Sequence, residues 1–247
     1  MSNLKIICPS KGRADNVLTT KFIREMIILV PHGEGKAYRE HNPDFEVIET
    51  PVGLHGITRT KQWMIDNWDE WFSIDDDVIR VTRQYESTKD AMQVTDPDEV
   101  VDIIQRLRDM AVEMGAFMYG FNHYRQPELY NAHKPFSHTG YLNSSHFGLL
   151  PGHNLYYNLD MLEAEDHWIS LLNAYTNRFF LKDHRYAFAT KDNFKAKGGC
   201  NDYRTSESMV DNTILLRKQF GEAVVLKEAT SRKKIINKGE RSLKVPF

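Results

Sequence analysis

The sequence predicts an α/β fold in which a mostly parallel central sheet is flanked by helices. Short apolar, β-branched runs alternate with helix-patterned segments through the first eighty residues, the arrangement that produces parallel strands joined by crossovers. Prolines and glycines mark most changes of element. Several runs, "LKIIC" and "EMIILV" among them, are apolar throughout, as buried strands are.

The elements follow in order. "LKIIC" (4–8) is a first strand stopped by Pro9, and the basic, turn-rich loop "PSKGRADN" comes after it. "EMIILVP" (25–31) is a second strand, ended by Pro31 and "HGEG". "AYREHNP" is a short helix closed by Pro43, and "FEVIETP" (45–51) is a third strand. "GLHGITRTKQWMIDNW" opens on glycines and turns helical, with Ile57, Met64 and Trp68 on one face and Gln62 and Asp66 turned away. "EWFSI" (70–74) is a fourth strand. Residues 95–115 form the clearest helix: Asp96 or Asp98 caps it, Pro97 suits its first turn and Gly115 ends it. "AFMYGFN" is a strand. "HFGLLPGHNLYYNLDML" reads as a strand, a glycine bend and another strand. "SESMVDNTILLRKQFG" is a second helix, capped by Ser206 or Ser208 and stopped by Gly221, and "AVVLKE" is a late strand. Nothing repeats and nothing resembles a linker, so one domain over 1–247 is expected.

At 247 residues the chain can bury a sizeable core, and 41% hydrophobic with 27% charged residues is an ordinary globular mixture. A formal net charge of −2 excludes a strongly basic global field, though not a local basic face. Cys8 and Cys200 are too few and too far apart for a disulfide scaffold or a zinc knuckle, so reduced thiols are expected. The first residues lack the apolar core of a secretory signal, and no run approaches the roughly 20 apolar residues of a membrane span. A cytoplasmic protein with no membrane partner is the expectation.

Three segments fall at the carboxyl ends of the first strands, where ligands bind in parallel α/β sheets. In "WFSIDDDV", Asp75, Asp76 and Asp77 follow an apolar strand. Three adjacent carboxylates are either a solvated turn or the seat of a positive partner, and the strand-end position favours the second. Hard cations such as Mg²⁺ or Mn²⁺ take carboxylate oxygens together with substrate phosphates. Asp75 and Asp77, two apart, would share a face in an extended segment. "PSKGR" brings Lys11, Gly12 and Arg13, a phosphate-compatible set without the spacing of a Walker A loop. "GITR" sets Arg59 near a helix start, a place that attracts phosphate. Asp211 lies near the start of the later helix, as a general base or as an acid that complements the helix dipole. Of the ten histidines, none shows metal-ligand spacing. His153 and Asn154, beyond the "PG" bend, are assigned to the acceptor side.

Together these motifs resemble the GT-A glycosyltransferases, whose fold is a Rossmann-type sheet. More narrowly, "IILVPHGEGKAY", "VIETPVGLHGITRTKQWMID" and "WFSIDDDV" resemble the bacteriophage DNA-modifying, TET-associated glycosyltransferases, which decorate 5-hydroxymethylcytosine. The resemblance is most specific over residues 4–80. It implies a nucleotide-sugar half at 1–80, an acceptor half at 81–230 containing the late "GG" at 198–199, and a basic tail at 231–247. It implies that Pro9, Ser10, Lys11, Gly12, Arg13 and Arg59 bind a donor, by default a UDP-sugar. Asp75 and Asp76 would lie near ribose or metal, and Asp77 would bind Mn²⁺ or Mg²⁺. Asp211 falls where inverting members carry the acid of an "ED" pair, but Val210 stands where Glu is usual. Lys227, Arg232, Lys233, Lys234, Lys238, Arg241 and Lys244 would hold a DNA backbone. A glycan, lipid or small-molecule acceptor, a Mg-dependent nucleotidyltransferase and a non-catalytic nucleotide-binding module are the alternatives.

Overall fold

The computed structural model describes residues 4–123, 127–191, 205–226 and 241–244. The first half follows the sequence pattern closely. Strands β1 (Lys5–Pro9), β2 (Ile27–Val30), β3 (Glu46–Glu49) and β4 (Trp71–Ile74) are joined by α1 (Gly35–His41) and α2 (Ile57–Asn67). They pair in parallel in the order β3-β2-β1-β4. β5 (Val78–Arg83), α3 (Lys89–Met92) and β6 (Gln93–Val94) come next. Then follow α4 (Pro97–Met114), β7 (Met118–Asn122), β8 (Phe136–Ser137), β9 (His146–Leu149), α5 (Glu165–Thr176) and β10 (Leu181–Thr190). α6 (Ser206–Phe220) precedes β11 (Val224–Leu226) and β12 (Arg241–Leu243), which form a separate antiparallel ribbon.

The large sheet continues past β4 as β9-β7-β10-β5-β6, with β8 beside β10. β9 runs antiparallel to both β4 and β7, whereas β7 and β10 are parallel. Only Asp75, Asp76 and Asp77 separate the end of β4 from the start of β5. In a flat sheet β4 and β5 would stand about 19 Å apart, four strand spacings. The linking residues reach at most about 14 Å. The sheet therefore curls, and it does so around an aromatic column. Phe72 and Phe121 meet at 5.9 Å, Phe121 and Phe188 at 4.7 Å, and His146 stacks on Phe188 at 5.6 Å.

Two cores cover the two faces. Strand alternation sends Ile6 and Cys8 to one face and Ile7 to the other. The first face packs against α4 through Val100, Ile103, Ile104, Leu107 and Ala111. The second packs against α2, α5 and α6 through Met64, Trp168, Ile169, Leu172 and Leu216. α4 has the ends its sequence specifies: Asp96 accepts from the Asp98 amide at 3.0 Å, and Gly115 takes a left-handed conformation at φ 71°.

Some expectations change. The buried face of α2 is Thr58, Lys61 and Met64, with Ile57 and Trp68 half-buried at its edge. No second strand follows Gly152; residues 151–164 form an irregular loop that enters α5 through Ala164 at φ 65°. α6 is capped by Thr205, which exchanges hydrogen bonds with Ser208 in a capping box. Among the described residues no helix is long and apolar enough to cross a membrane.

Gly148 sits mid-strand in β9, and a Cβ there would overlap the ring of fully buried Tyr119. Gly148→Ala is expected to destabilise the fold by about 2–4 kcal/mol through overpacking, read as a lower midpoint in urea unfolding.

Candidate functional site

The site is built around the turn from β4 to β5. Three segments hold its backbone. The Asp75 amide donates to Ser145 O at 2.8 Å, and Thr19 Oγ1 donates to Asp75 O at 2.5 Å. Leu18 N and Thr19 N both donate to Asp76 O, and Lys191 N donates to Asp77 O at 2.9 Å. The triplet is thus a fixed turn rather than the extended segment its spacing had implied.

Asp76 is bound to the basic loop after β1. Ser10 Oγ donates to its Oδ2 at 2.5 Å, and Arg13 Nη1 to its Oδ1 at 2.7 Å. Tyr38, buried on α1, clamps that loop: its hydroxyl is 2.8 Å from Ser10 Oγ and accepts from Arg13 N at 3.0 Å. Gly12 turns the loop at φ 68°, a conformation that favours glycine, and its amide donates to Glu34 Oε2 at 2.7 Å. The Ser10–Arg13 loop and the triplet therefore meet in space, as their positions at neighbouring strand ends required.

Lys61 supplies the second cation. It is fully buried on α2, donates to Ser73 Oγ and, at 3.0 Å, to Ser144 O, and lies 5.0 Å from the Phe147 ring centre. Burial pushes its pKa down, and Asp75, Glu165 and Asp166 oppose that shift. Burial also raises the Asp75 pKa well above the carboxylate range; Asp77 adds to the rise and Lys61 resists it. Glu165 is shifted upward by burial and accepts from Ser144 Oγ at 2.6 Å.

Asp166, beside Glu165 in the first turn of α5, behaves differently. Burial favours its neutral form, but His167 and Tyr141 outweigh that and hold it below the usual carboxylate range. Tyr141 OH donates to Asp166 Oδ2, while the His167 amide and ring Nδ1 lie 2.8 and 2.9 Å from Oδ1. The N-terminal end of α5 favours the same charge. Two adjacent acids, Glu165 tending to neutral and Asp166 held ionised, form the pattern by which environment divides acid and base roles.

Asp76 is engaged by Ser10 and Arg13, so of the triplet Asp75 and Asp77 remain the expected carboxylates for a cation. Among the described residues no group of three or more His, Cys, Asp or Glu could hold a metal ion. A hard ion such as Mg²⁺ needs only one or two carboxylates and completes its shell from water and phosphate. The like-charge strain between Asp75 and Asp77 is what such an ion would relieve.

The remaining expected residues are placed less centrally. Pro9 is the last residue of β1, and Lys11 is half-buried in the loop. Arg59 points outward on α2 and donates to Leu159 O at 3.4 Å; the cation that α2 turns inward is Lys61, two residues on. Asp211 is exposed on α6. The acids within electrostatic reach of Lys61 are Asp75, Glu165 and Asp166. His153 closes its own loop, its Nδ1 accepting from Leu155 N at 2.8 Å, and Asn154 sits at φ 52° in the same turn. Gly198, Gly199, Lys227, Arg232, Lys233, Lys234 and Lys238 lie outside the described residues, as does the Arg241 side chain. Lys244 donates its amide to Ala223 O at 2.8 Å beside the β11–β12 ribbon. Sequence reasoning passed over Lys61, Tyr141, Glu165 and Asp166. The available signal was "EAEDHW", an acid pair directly before an apolar run.

A family described as TET-Associated Glycosyltransferase matches residues 4–199. The chain belongs to the TET-associated glycosyltransferase family. No curated protein matches it in sequence. S. aureus TarS is similar at TM-score 0.49 and 8% identity, over 86% of this chain and 39% of that one. TarS 1-349 in complex with UDP-GlcNAc is similar at TM-score 0.49 and 10% identity, over 86% and 66%. CMP:2-keto-3-deoxy-manno-octonic acid synthetase complexed with CTP follows at TM-score 0.34 and 14% identity, over 76% and 90%. The chain spans between about two fifths and two thirds of the TarS chains it resembles. Within the family match lie the Ser10–Arg13 loop, Lys61, the aspartate triplet and the Glu165–Asp166 pair.

Lys61→Met is expected to destabilise the fold by about 3 kcal/mol at pH 8, because it strands buried carboxylates without a counter-charge. The deficit should shrink at pH 5. Without Lys61 the Asp75 and Glu165 pKa values rise further, so the folded state binds protons more readily than the unfolded chain and gains stability as pH falls. Urea unfolding of both proteins at the two pH values checks the sign.

Proposed function

We propose that this chain transfers a sugar from a nucleotide-sugar, by default a UDP-sugar, to a hydroxyl acceptor, and that the acceptor is 5-hydroxymethylcytosine in phage DNA. Family membership supports sugar transfer. The observation that carries the mechanism is the acid pair Glu165–Asp166 at the start of α5: half-buried Asp166 is held by Tyr141 and His167, and buried Glu165 shares Ser144 with Lys61, which also reaches Ser73 at the end of β4.

Ser10, Lys11, Gly12 and Arg13 serve the donor, offering backbone and cationic groups to its phosphates. Asp75 and Asp77 would hold Mn²⁺ or Mg²⁺. When bound, that ion supplies positive charge against the diphosphate leaving group. Arg13, fixed by Asp76, adds charge already oriented before reaction begins. Asp166 accepts the proton of the acceptor hydroxyl as that oxygen attacks the anomeric carbon. Its low pKa keeps it ionised at neutral pH, and the hydroxyl becomes acidic enough to give up its proton only as the new bond forms. Attack from the side opposite the diphosphate inverts the anomeric centre. Lys61 is a positioning residue: it holds Asp75, Glu165 and Asp166 in one charge cluster. A base in duplex DNA would have to leave the stack, which costs a few kcal/mol and favours unpaired substrate.

Incubation with hydroxymethylcytosine DNA and a panel of nucleotide sugars, followed by mass spectrometry of the digested nucleosides, tests the reading directly. A glycosylated nucleoside with release of nucleoside diphosphate is expected. Pyrophosphate release without a glycosylated product would point to nucleotidyl transfer instead. Asp166→Asn should lower kcat by about 10²–10⁴ while donor affinity, measured by calorimetry with UDP, changes little. Asp77→Asn should abolish transfer with an unchanged circular dichroism spectrum; full turnover in that variant would remove the carboxylate-held ion from the mechanism.

A further inference from the structure

A second buried cation lies on the acceptor half, and nothing so far gives it a role. Lys182 on β10 is 6% exposed. Among the described residues its ammonium makes one hydrogen bond, a long one of 3.4 Å to Tyr141 O, and no carboxylate stands within ion-pair distance. Lys61 is equally enclosed, but two hydrogen bonds and the charges of Asp75, Glu165 and Asp166 surround it. A buried ammonium without a counter-charge is strongly disfavoured, and proteins keep one where a ligand supplies the missing charge.

The surroundings indicate what that ligand meets. Tyr141 touches Lys182 with its carbonyl and Asp166 with its hydroxyl, so one residue spans the cation and the proposed base. His123, at the end of β7, lies with its ring 6.5 Å from Tyr141 and within the fields of both Lys182 and Asp166. His123, Tyr141 and His167 are half-buried, so this wall opens to solvent beside Asp166. The cation stands on the Asp166 side of the cluster, apart from Arg13 and the donor loop.

We infer that Lys182 is the counter-charge for a phosphate group of the acceptor, seated next to the hydroxyl that Asp166 deprotonates. The inference rests on the reading of Asp166 as the acceptor's base, and it narrows the acceptor to a phosphorylated one. The phosphate is either the 5′-monophosphate of a free nucleotide or a phosphodiester of the DNA strand. Lys182 carries charge at neutral pH, its pKa being lowered by burial only to about 8.

Two measurements test this. The first needs no turnover: ³¹P line broadening of inorganic phosphate at pH 6.5 with the full chain, its Lys182→Met variant and its Lys182→Arg variant. Wild type and Lys182→Arg should broaden the line saturably, and Lys182→Met should bind about tenfold more weakly or less. Equal binding by Lys182→Met, or no binding by wild type, overturns the proposal. If Lys182→Met fails to fold by circular dichroism, Lys182→Gln replaces it. The second compares transfer to 5-hydroxymethyl-2′-deoxycytidine, its 5′-monophosphate and a short single-stranded oligonucleotide carrying the base internally. Preference for the monophosphate or for the oligonucleotide over the nucleoside identifies the source of the phosphate, and Lys182→Met should erase that preference. Equal kcat/KM for all three with wild type overturns the proposal while leaving sugar transfer intact. Transfer to none of them overturns the hydroxymethylcytosine acceptor, and phosphate binding then decides Lys182 by itself.

Discussion

The structure is organised by a charge constraint. Three carboxylates follow a strand whose every residue is buried, so they enter a region where water cannot solvate them freely. Such groups are tolerated only when paired, hydrogen-bonded or protonated. Asp76 is met by Ser10 and Arg13, and Asp75 by the field of Lys61. Each cation arrives from a different element, the loop after β1 and the inner face of α2. The turn therefore ties the basic loop, α2 and the start of α5 into one cluster, and no member moves without uncovering a charge.

Topology explains why this cluster forms where it does. The chain leaves β4 and begins β5 after three residues, yet β9, β7 and β10 lie between those strands in the sheet. That is possible only because the sheet curls about Phe72, Phe121 and Phe188. The turn sits at the mouth of the curl, where Ser145, Thr19 and Lys191 supply the hydrogen bonds that hold it. The rigidity of the site thus comes from backbone bonds made by distant segments, while its electrostatics come from side chains on helices.

The two sides of the cluster have different chemical character. On one side the Arg13 guanidinium is locked onto Asp76, next to the Gly12 turn. On the other side Asp166 is held by a tyrosine and a histidine, and Lys182 waits behind the same tyrosine. Lys61 lies between, linked to carboxylates on both sides. The proposed sugar transfer would use this division, since leaving-group stabilisation and proton removal occur at opposite ends of one reaction coordinate. Lys61 makes two hydrogen bonds and lies in the field of three carboxylates, whereas Lys182 makes one long hydrogen bond among the described residues, and the proposed phosphate site rests on that contrast.

The first half of the fold was legible in the sequence because local rules govern it. Strands that are apolar throughout, Pro9 and Pro31 at strand ends, and the Asp96 and Gly115 caps of α4 all act over a few residues. The meeting of the Ser10–Arg13 loop with Asp76 was legible too, because parallel topology alone brings neighbouring strand ends together. The second half obeyed longer-range forces. β10 carries Lys182, Asp183 and Arg185, so its burial depends on partners the strand pattern does not name, such as the Asp183–Arg185 pair. α5 starts from a left-handed Ala164 with no capping side chain to announce it. Seeing that α2 turns Lys61 inward and Arg59 outward, and that Asp166 stands near Lys61 while Asp211 is exposed, required knowing which face of a helix meets the sheet and how the sheet curls. That information resides in tertiary packing, because a charge acquires its chemical role from what surrounds it rather than from its neighbours in the chain.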